Sequence, residues 1–249
     1  MRQTTLGVLI LLALLRVPVR AQQSPSPIPL EKEPHHELVF HNKNFLAFRV
    51  KMPPGDTLLL HRHAYDEAAL TISSGTTAAI FPGKPEVHQT DVPATVRFHR
   101  AGVVHQIRNV SDAPYYLHYS ISLLHSQENV RSLCAAADGG GPLNCPLSQG
   151  DSPSGMRVEP QYETDRFRAS VAHLQPRQSA QLGESDRDEF VVMVEEAVAT
   201  GAANSSAAHG APQVLHPGDF LWIPQGKPSR VIRNDSDREA RFVIFGFKP

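Results

Sequence analysis

Gly55-Asp-Thr-Leu-Leu-Leu-His61-Arg-His63-Ala-Tyr-Asp-Glu67 opens the stretch that decides how this chain reads, and Ala101-Gly102-Val-Val-His105-Gln-Ile-Arg-Asn109 closes it. Residues i and i+2 of a strand point to the same face, so His61 and His63 present two imidazoles side by side. A carboxylate, Glu67, follows at once, and a third imidazole, His105, arrives on a later run. The four make a ligand set for one divalent metal. Histidine is the commonest metal ligand in its neutral form, and His-rich ligation with one carboxylate suits iron, manganese, zinc, nickel or copper without choosing among them. Ten of the 13 histidines fall between residues 35 and 125, which places the metal chemistry in the first half.

Working outward, short apolar runs rich in β-branched residues alternate with turn punctuation: 38–40, 45–52, 57–63, 68–72, 77–81, 91–99, 105–110 and 115–124. Strands of this length and spacing predict an all-β antiparallel sandwich or barrel, and no segment carries a long amphipathic helix. The run 126–160 breaks the pattern with Gly, Ala, Ser and Pro and reads as a connection between two domains. Strands then resume at 167–174, 189–194, 213–215, 220–223, 230–233 and 240–247, with a Gly, Ala, Ser and Asn-rich loop over 200–211.

The second half copies the first. Displacing the chain along itself lays Phe45 on Phe167, Met52 on Leu174, Pro54 on Pro176 and Glu67 on Glu189 without a gap. Farther on, Ile107-Arg108-Asn109 lies over Ile232-Arg233-Asn234. Two related units in one chain follow. The copy has lost the metal set: Gly183 and Ser185 stand for His61 and His63, Ser229 or Arg230 for His105, and only Glu189 survives. One metal per chain is expected, in the first unit.

These residues resemble the cupin superfamily. Its first motif runs Gly, five residues, His-x-His, three or four residues, Glu, six residues, Gly, and is matched by Gly55, His61, His63 and Glu67, with Gly75 one residue late. Its second motif runs Gly, five residues, Pro-x-Gly, two residues, His, three residues, Asn, and is matched by Gly102, His105 and Asn109, with Arg100 in the proline's place. In the second unit Gly218-Asp-Phe-Leu-Trp-Ile-Pro224-Gln-Gly226 matches the start of that motif, without its histidine. The resemblance implies two tandem double-stranded β-helix, jelly-roll-like barrels: a bicupin with a three-His, one-Glu metal site in its first unit. His99, on the strand leading into the Gly102 turn, and Tyr65 and Tyr119, at the barrel mouth, are candidate substrate-binding residues. His118 and His125 read as surface or core-edge residues, and Tyr116 as another candidate for the mouth.

The expected layout is a signal peptide at 1–21, a Pro-rich linker at 22–36 whose closing His35-His36 is solvated, a metal-binding unit at 37–125, a linker at 126–157, and a degenerate unit at 158–249. Met1-Arg2, the apolar run 6–15 and Val19-Arg20-Ala21 carry the signal signature, so a secreted or periplasmic location is expected, with no membrane contact after cleavage. In that oxidising setting Cys134 and Cys145, the only cysteines, are a natural disulfide pair. Asn109 and Asn234 begin Asn-x-Ser, as does Asn204, and read as turn residues.

A formal net charge of -1 gives no basic stripe for phosphates, so nucleic acid is not an expected partner. Exposed sheet edges invite a homo-oligomer. A small-molecule ligand or substrate is expected. Open coordination positions favour a metal-dependent enzyme, foremost a dioxygenase-like oxidoreductase and after it an isomerase or lyase, against a non-catalytic module that holds a small ligand or metal. No acid or nucleophile beyond the ligands selects a reaction.

Overall fold

The structure, a computed structural model, describes residues 26–112, 116–133, 156–183, 186–200, 212–227 and 229–249. The signal segment, Cys134, Cys145, Ser185 and Asn204 lie outside the described residues. In the first unit the runs become β1 (Ile28–Pro29), β2 (His36–His41), β3 (Phe45–Met52), β4 (His61–Arg62), β5 (Asp66–Thr71), β6 (Gly75–Ile80), β7 (Val87–Asp91), β8 (Val96–His99), β9 (Val104–Asn109) and β10 (Tyr116–Leu123). The second unit continues with β11 (Arg131–Ser132), β12 (Met156–Glu163), β13 (Phe167–Leu174), β14 (Ser179–Leu182), β15 (Asp188–Met193), β16 (Ala197–Thr200), β17 (Gln213–Leu215), β18 (Phe220–Ile223), β19 (Arg230–Arg233) and β20 (Ala240–Phe247). A 3-10 turn, Leu30–Lys32, is the only helix among the described residues.

Two sheets enclose each unit. The first unit pairs β1-β4-β9-β6-β7 with β2-β3-β10-β5-β8, and the second pairs β14-β19-β16-β17 with β11-β12-β13-β20-β15-β18. The chain is thus all-β, two tandem double-stranded β-helix barrels. Period-two alternation gives the larger sheets two buried faces. Along β3 and β10, Val50, Met52 and Tyr116 turn inward with Leu58 and Ile107 to form a small core inside the first barrel. The intervening residues, Phe45, Ala47, Leu117, Tyr119, Ile121 and Leu123, turn outward and meet Phe167, Phe190, Val243, Phe245 and Phe247 of the second barrel. Phe45 and Phe247 stack with ring centroids 4.3 Å apart and planes 4° from parallel. The largest apolar core therefore lies between the barrels.

The internal copy is a copy in geometry. Asn109 is fully buried and donates to the carbonyls of Met52 and Pro53 (3.0 and 3.2 Å) while accepting from Ser111, and Asn234 does the same with Leu174, Gln175 and Ser236. Gly55, at φ 77°, and Arg177, its counterpart at φ 63°, make the same turn, which costs the arginine strain that glycine avoids.

Two expectations need correction. Of the linker read at 22–36, the described part is built into the first barrel: β1 lies parallel to β4, pairing Ile28 with His61, and Leu30, Glu33 and His36 are buried. The Pro and Ser composition suggested an extended chain, but carboxylate and imidazole groups find partners that composition cannot show. Within 126–157, Arg131–Ser132 pairs with β12, and buried Gln127 accepts at its side-chain oxygen from the Thr164 hydroxyl (2.6 Å).

Candidate metal centre

β4 and β9 bring the histidines together. His61 stands opposite His105 in their antiparallel register. The chain stays zipped to His63, whose N–H donates to Val103 O (2.9 Å) and whose carbonyl accepts from Gly102 N–H (2.8 Å). Gly102 takes φ 91°, a conformation that favours glycine. Arg100, in the place of the motif's proline, does not loosen this turn. The buried Asp66 carboxylate accepts from the Ala101 and Gln127 backbone N–H groups (2.8 and 3.0 Å) and from the Arg100 guanidinium (3.1 Å). In the second unit Asp188 accepts from Gln225 N–H (2.9 Å) at the matching place.

Three ring nitrogens converge. His63 Nε2 lies 2.9 Å from His105 Nε2 and 3.2 Å from His61 Nε2. The partners of the other nitrogens settle two tautomers. His61 Nδ1 donates to the Leu59 carbonyl (2.8 Å), which can only accept, so its Nε2 carries a lone pair. His63 Nδ1 donates to the Glu67 carboxylate, which in the neutral ring leaves Nε2 its lone pair. Burial holds the His61 pKa down at about 4, and burial with the charges of His63 and His61 holds His105 well below its ordinary value, so both are neutral ligands at pH 7. At His63 burial is outweighed by Glu67, which raises its pKa. Burial opposes the Glu67 charge, but His63 beside it keeps the carboxyl ionised far below the usual carboxylate range.

A first-row divalent ion holds histidine nitrogens at about 2.0–2.1 Å, which sets neighbouring ligands roughly 3 Å apart. The nitrogen separations here match, and three buried Nε2 atoms converging at that distance on one point suit a metal. Among the described residues His61, His63 and His105 are the one such cluster. Glu67, expected as a fourth ligand, is placed behind His63, bracing its Nδ1–H. A carboxylate in that position orients a ligand ring and raises its basicity.

The cluster opens into a cavity of about 120 Å³. Leu58, Ala79, Phe81 and Ile107 give it apolar walls, and Gln89, Arg97, His99 and His118 give it polar ones. His99 is where the sequence suggested, directly across from Glu67 on the neighbouring strand. Tyr119 is not at the mouth. It is fully buried between the barrels, where its hydroxyl donates to Gly218 O (2.6 Å). The cause is parity: Tyr116 and His118 occupy the inward positions of β10, so Tyr119 faces out. Tyr65 is half-buried at the bend before β5, outside the lining. His125 is exposed, whereas His118 lines the cavity with burial lowering its pKa to about 3. Sequence reading missed Arg97, which ion-pairs with buried Asp91 (2.9 Å), although it shares a strand face with His99. It also missed His36, whose ring lies 5.1 Å from that of His61.

The second barrel shows what the first has given up. The position of His118 is taken by Phe242, in an apolar cluster with Leu174, Leu182, Val191 and Ile232. Glu189 accepts from the Gly183 N–H (3.1 Å), the backbone standing where His61 stands in the first unit.

No family model and no curated protein matches the chain. Among solved structures it is similar to AerE from Microcystis aeruginosa, with a TM-score of 0.59 and 14% identity over 90% of this chain and 98% of that one. Weaker likenesses include a formate complex of Lactobacillus farciminis oxalate decarboxylase (TM-score 0.49, 15% identity, 84% and 78% of the two chains) and a cupin domain from Bordetella pertussis (0.35, 18%, 41% and 100%). The two-barrel strand order is a bicupin fold, and the converging histidines inside the first barrel form its candidate metal site. Within that fold, the chain keeps its histidine cluster in the first barrel and an apolar cluster around Phe242 in the second.

Proposed function

We propose that this protein is an exported, mononuclear metal-dependent enzyme acting on a small organic molecule, with dioxygenase-like oxidoreductase chemistry as the leading activity. The observation that carries the reading is the convergence of three imidazole nitrogens on one wall of a cavity, with Glu67 turned away to His63. In this reading His61, His63 and His105 would hold the ion at the wall of the cavity. A divalent iron, manganese, zinc, nickel or copper ion held there would supply Lewis-acid or redox chemistry.

The chain's own residues do the rest. Glu67 keeps the proton on His63 Nδ1 and so holds the ring in its metal-facing orientation. The apolar walls exclude water, and His99, Gln89 and Arg97 offer hydrogen bonds to a ligand. A volume of about 120 Å³ is well under the roughly 300–1,000 Å³ of sites for drug-sized ligands, so a compact substrate is favoured. The exported location rests on the segment 1–21, which precedes the described residues; no helix among those residues is long and apolar enough to cross a membrane.

The test is metal analysis of the purified protein followed by an oxygen-uptake screen over small phenols, diketones and thiols. One bound metal and substrate-dependent uptake that disappears in His61→Ala are expected. Full metal occupancy without turnover, and ligand binding unchanged in His61→Ala, would leave a non-catalytic binding module instead.

A further inference from the structure

The metal ligands are backed by a carboxylate outside both sequence motifs. Glu33 follows the 3-10 turn, is 1% exposed, and gathers four donors. Its Oε2 accepts from His36 Nδ1 (2.7 Å) and His35 N–H (2.9 Å), and its Oε1 from His35 Nδ1 (3.0 Å) and the Leu59 N–H (3.1 Å). The Leu59 backbone connects this carboxylate to the histidine cluster. Its N–H is held by Glu33, and its carbonyl accepts from His61 Nδ1–H (2.8 Å). The neighbouring residue is tied too, since Leu60 O accepts from Ile28 N–H (3.0 Å). Glu33 also points His36 at the cavity: with Nδ1 committed to the carboxylate, the ring packs edge-on against His61 and lines the wall.

We infer that Glu33 is the positioning residue of the metal centre, fixing the Nε2-liganding tautomer and orientation of His61 by anchoring the Leu59 backbone and presenting His36 to a bound ligand. This rests on the metal-binding reading above. The two groups belong to successive peptide units, so the link is positional: anchoring the Leu59 N–H on Glu33, with the Leu60 carbonyl held by Ile28, fixes the backbone dihedrals of Leu59 and hence the direction of the carbonyl that holds the His61 proton. Loss of such an outer partner commonly lowers metal affinity by about 10–100-fold.

The experiment compares wild type, Glu33→Gln and Asp56→Asn. Asp56 accepts from His35 Nε2 (2.8 Å) at the surface and does not contact Leu59 or His36, so its variant loosens the same segment without touching the relay. Cobalt(II) affinity and visible spectrum are recorded, and the His61 tautomer is read by 15N NMR in metal-free protein. Glu33→Gln is expected to bind cobalt about 10–100-fold more weakly, with an altered spectrum and a mixed His61 tautomer, while Asp56→Asn stays within twofold of wild type. Affinity, spectrum and tautomer all unchanged in Glu33→Gln, or equal losses in both variants, would overturn the proposal. If Glu33→Gln does not fold, Glu33→Asp, which keeps the charge but shortens the reach, is read on the same criteria. A wild type that binds no cobalt would refute the metal reading, and the metal-free NMR comparison would still decide the role of Glu33.

Discussion

Replacing His118 with the phenylalanine that the second barrel carries at the same position should stabilise the metal-free protein while closing part of the cavity. His118 Nδ1 is buried and has no hydrogen-bonding partner in the protein. Leaving such a group unsatisfied costs about 1–3 kcal/mol. The larger ring is accommodated because the side chain borders a cavity of about 120 Å³, which limits the strain of overpacking. A net gain of about 1–2 kcal/mol near pH 7.5 is expected from these opposing effects. The gain should widen in acid. Burial lowers the His118 pKa from 6.5 to about 3, so between those values the unfolded chain takes up a proton that the folded chain refuses, and stability falls as pH falls. At pH 5 that penalty is about 2 kcal/mol, and His118→Phe removes it. Urea unfolding of chelator-treated protein at pH 7.5 and pH 5 measures both values. A variant less stable than wild type at pH 7.5, or a difference that does not grow at pH 5, would show that Nδ1 is satisfied and would refute the reasoning. Weakened ligand binding alongside greater stability would mark His118 as a residue kept for function.

Three further outcomes are expected. Metal titration should give one ion per chain, abolished in His105→Ala and unchanged in Glu189→Ala; two ions per chain would show that the second barrel also binds. Tyr119→Phe should lower stability by about 1–2 kcal/mol, since it leaves the buried Gly218 carbonyl without its donor, and thermal unfolding reads this directly. The Glu33 clip should be tightest between pH 4.5 and 6.5. Burial works against the Glu33 charge, yet hydrogen bonds from His36, His35 and Leu59 lower its pKa from 4.5 to about 2, so its contribution is present above pH 4.5 and lost as pH falls towards 2. Burial likewise opposes a charged His35, but Glu33 and Asp56 raise its pKa above 6.5, so its contribution is full below 6.5 and lost as pH rises through the raised value. Hydrogen exchange of the Leu59 amide should therefore be slowest, relative to its intrinsic rate, in that window.

The amino-acid sequence by itself determined the barrel class, the duplication and the histidine cluster. Each rests on spacing along the chain: period two places His61 and His63 on one face, turn residues recur at matching distances in both halves, and Gly55 and Gly102 mark positive-φ turns that few other residues adopt. Tertiary structure decided what spacing does not encode. Whether Glu67 meets a metal or the back of His63 depends on side-chain direction across β5 and β4. Tyr119 left the site because packing two barrels back to back buries both faces of a sheet, and parity along β10 then assigns alternate residues to different cores. Glu33 and His36 entered it because a segment with the composition of a linker pairs beside the strand that carries His61, and the residue whose backbone joins them to that ligand, Leu59, has a side chain 51% exposed that says nothing of its backbone's role.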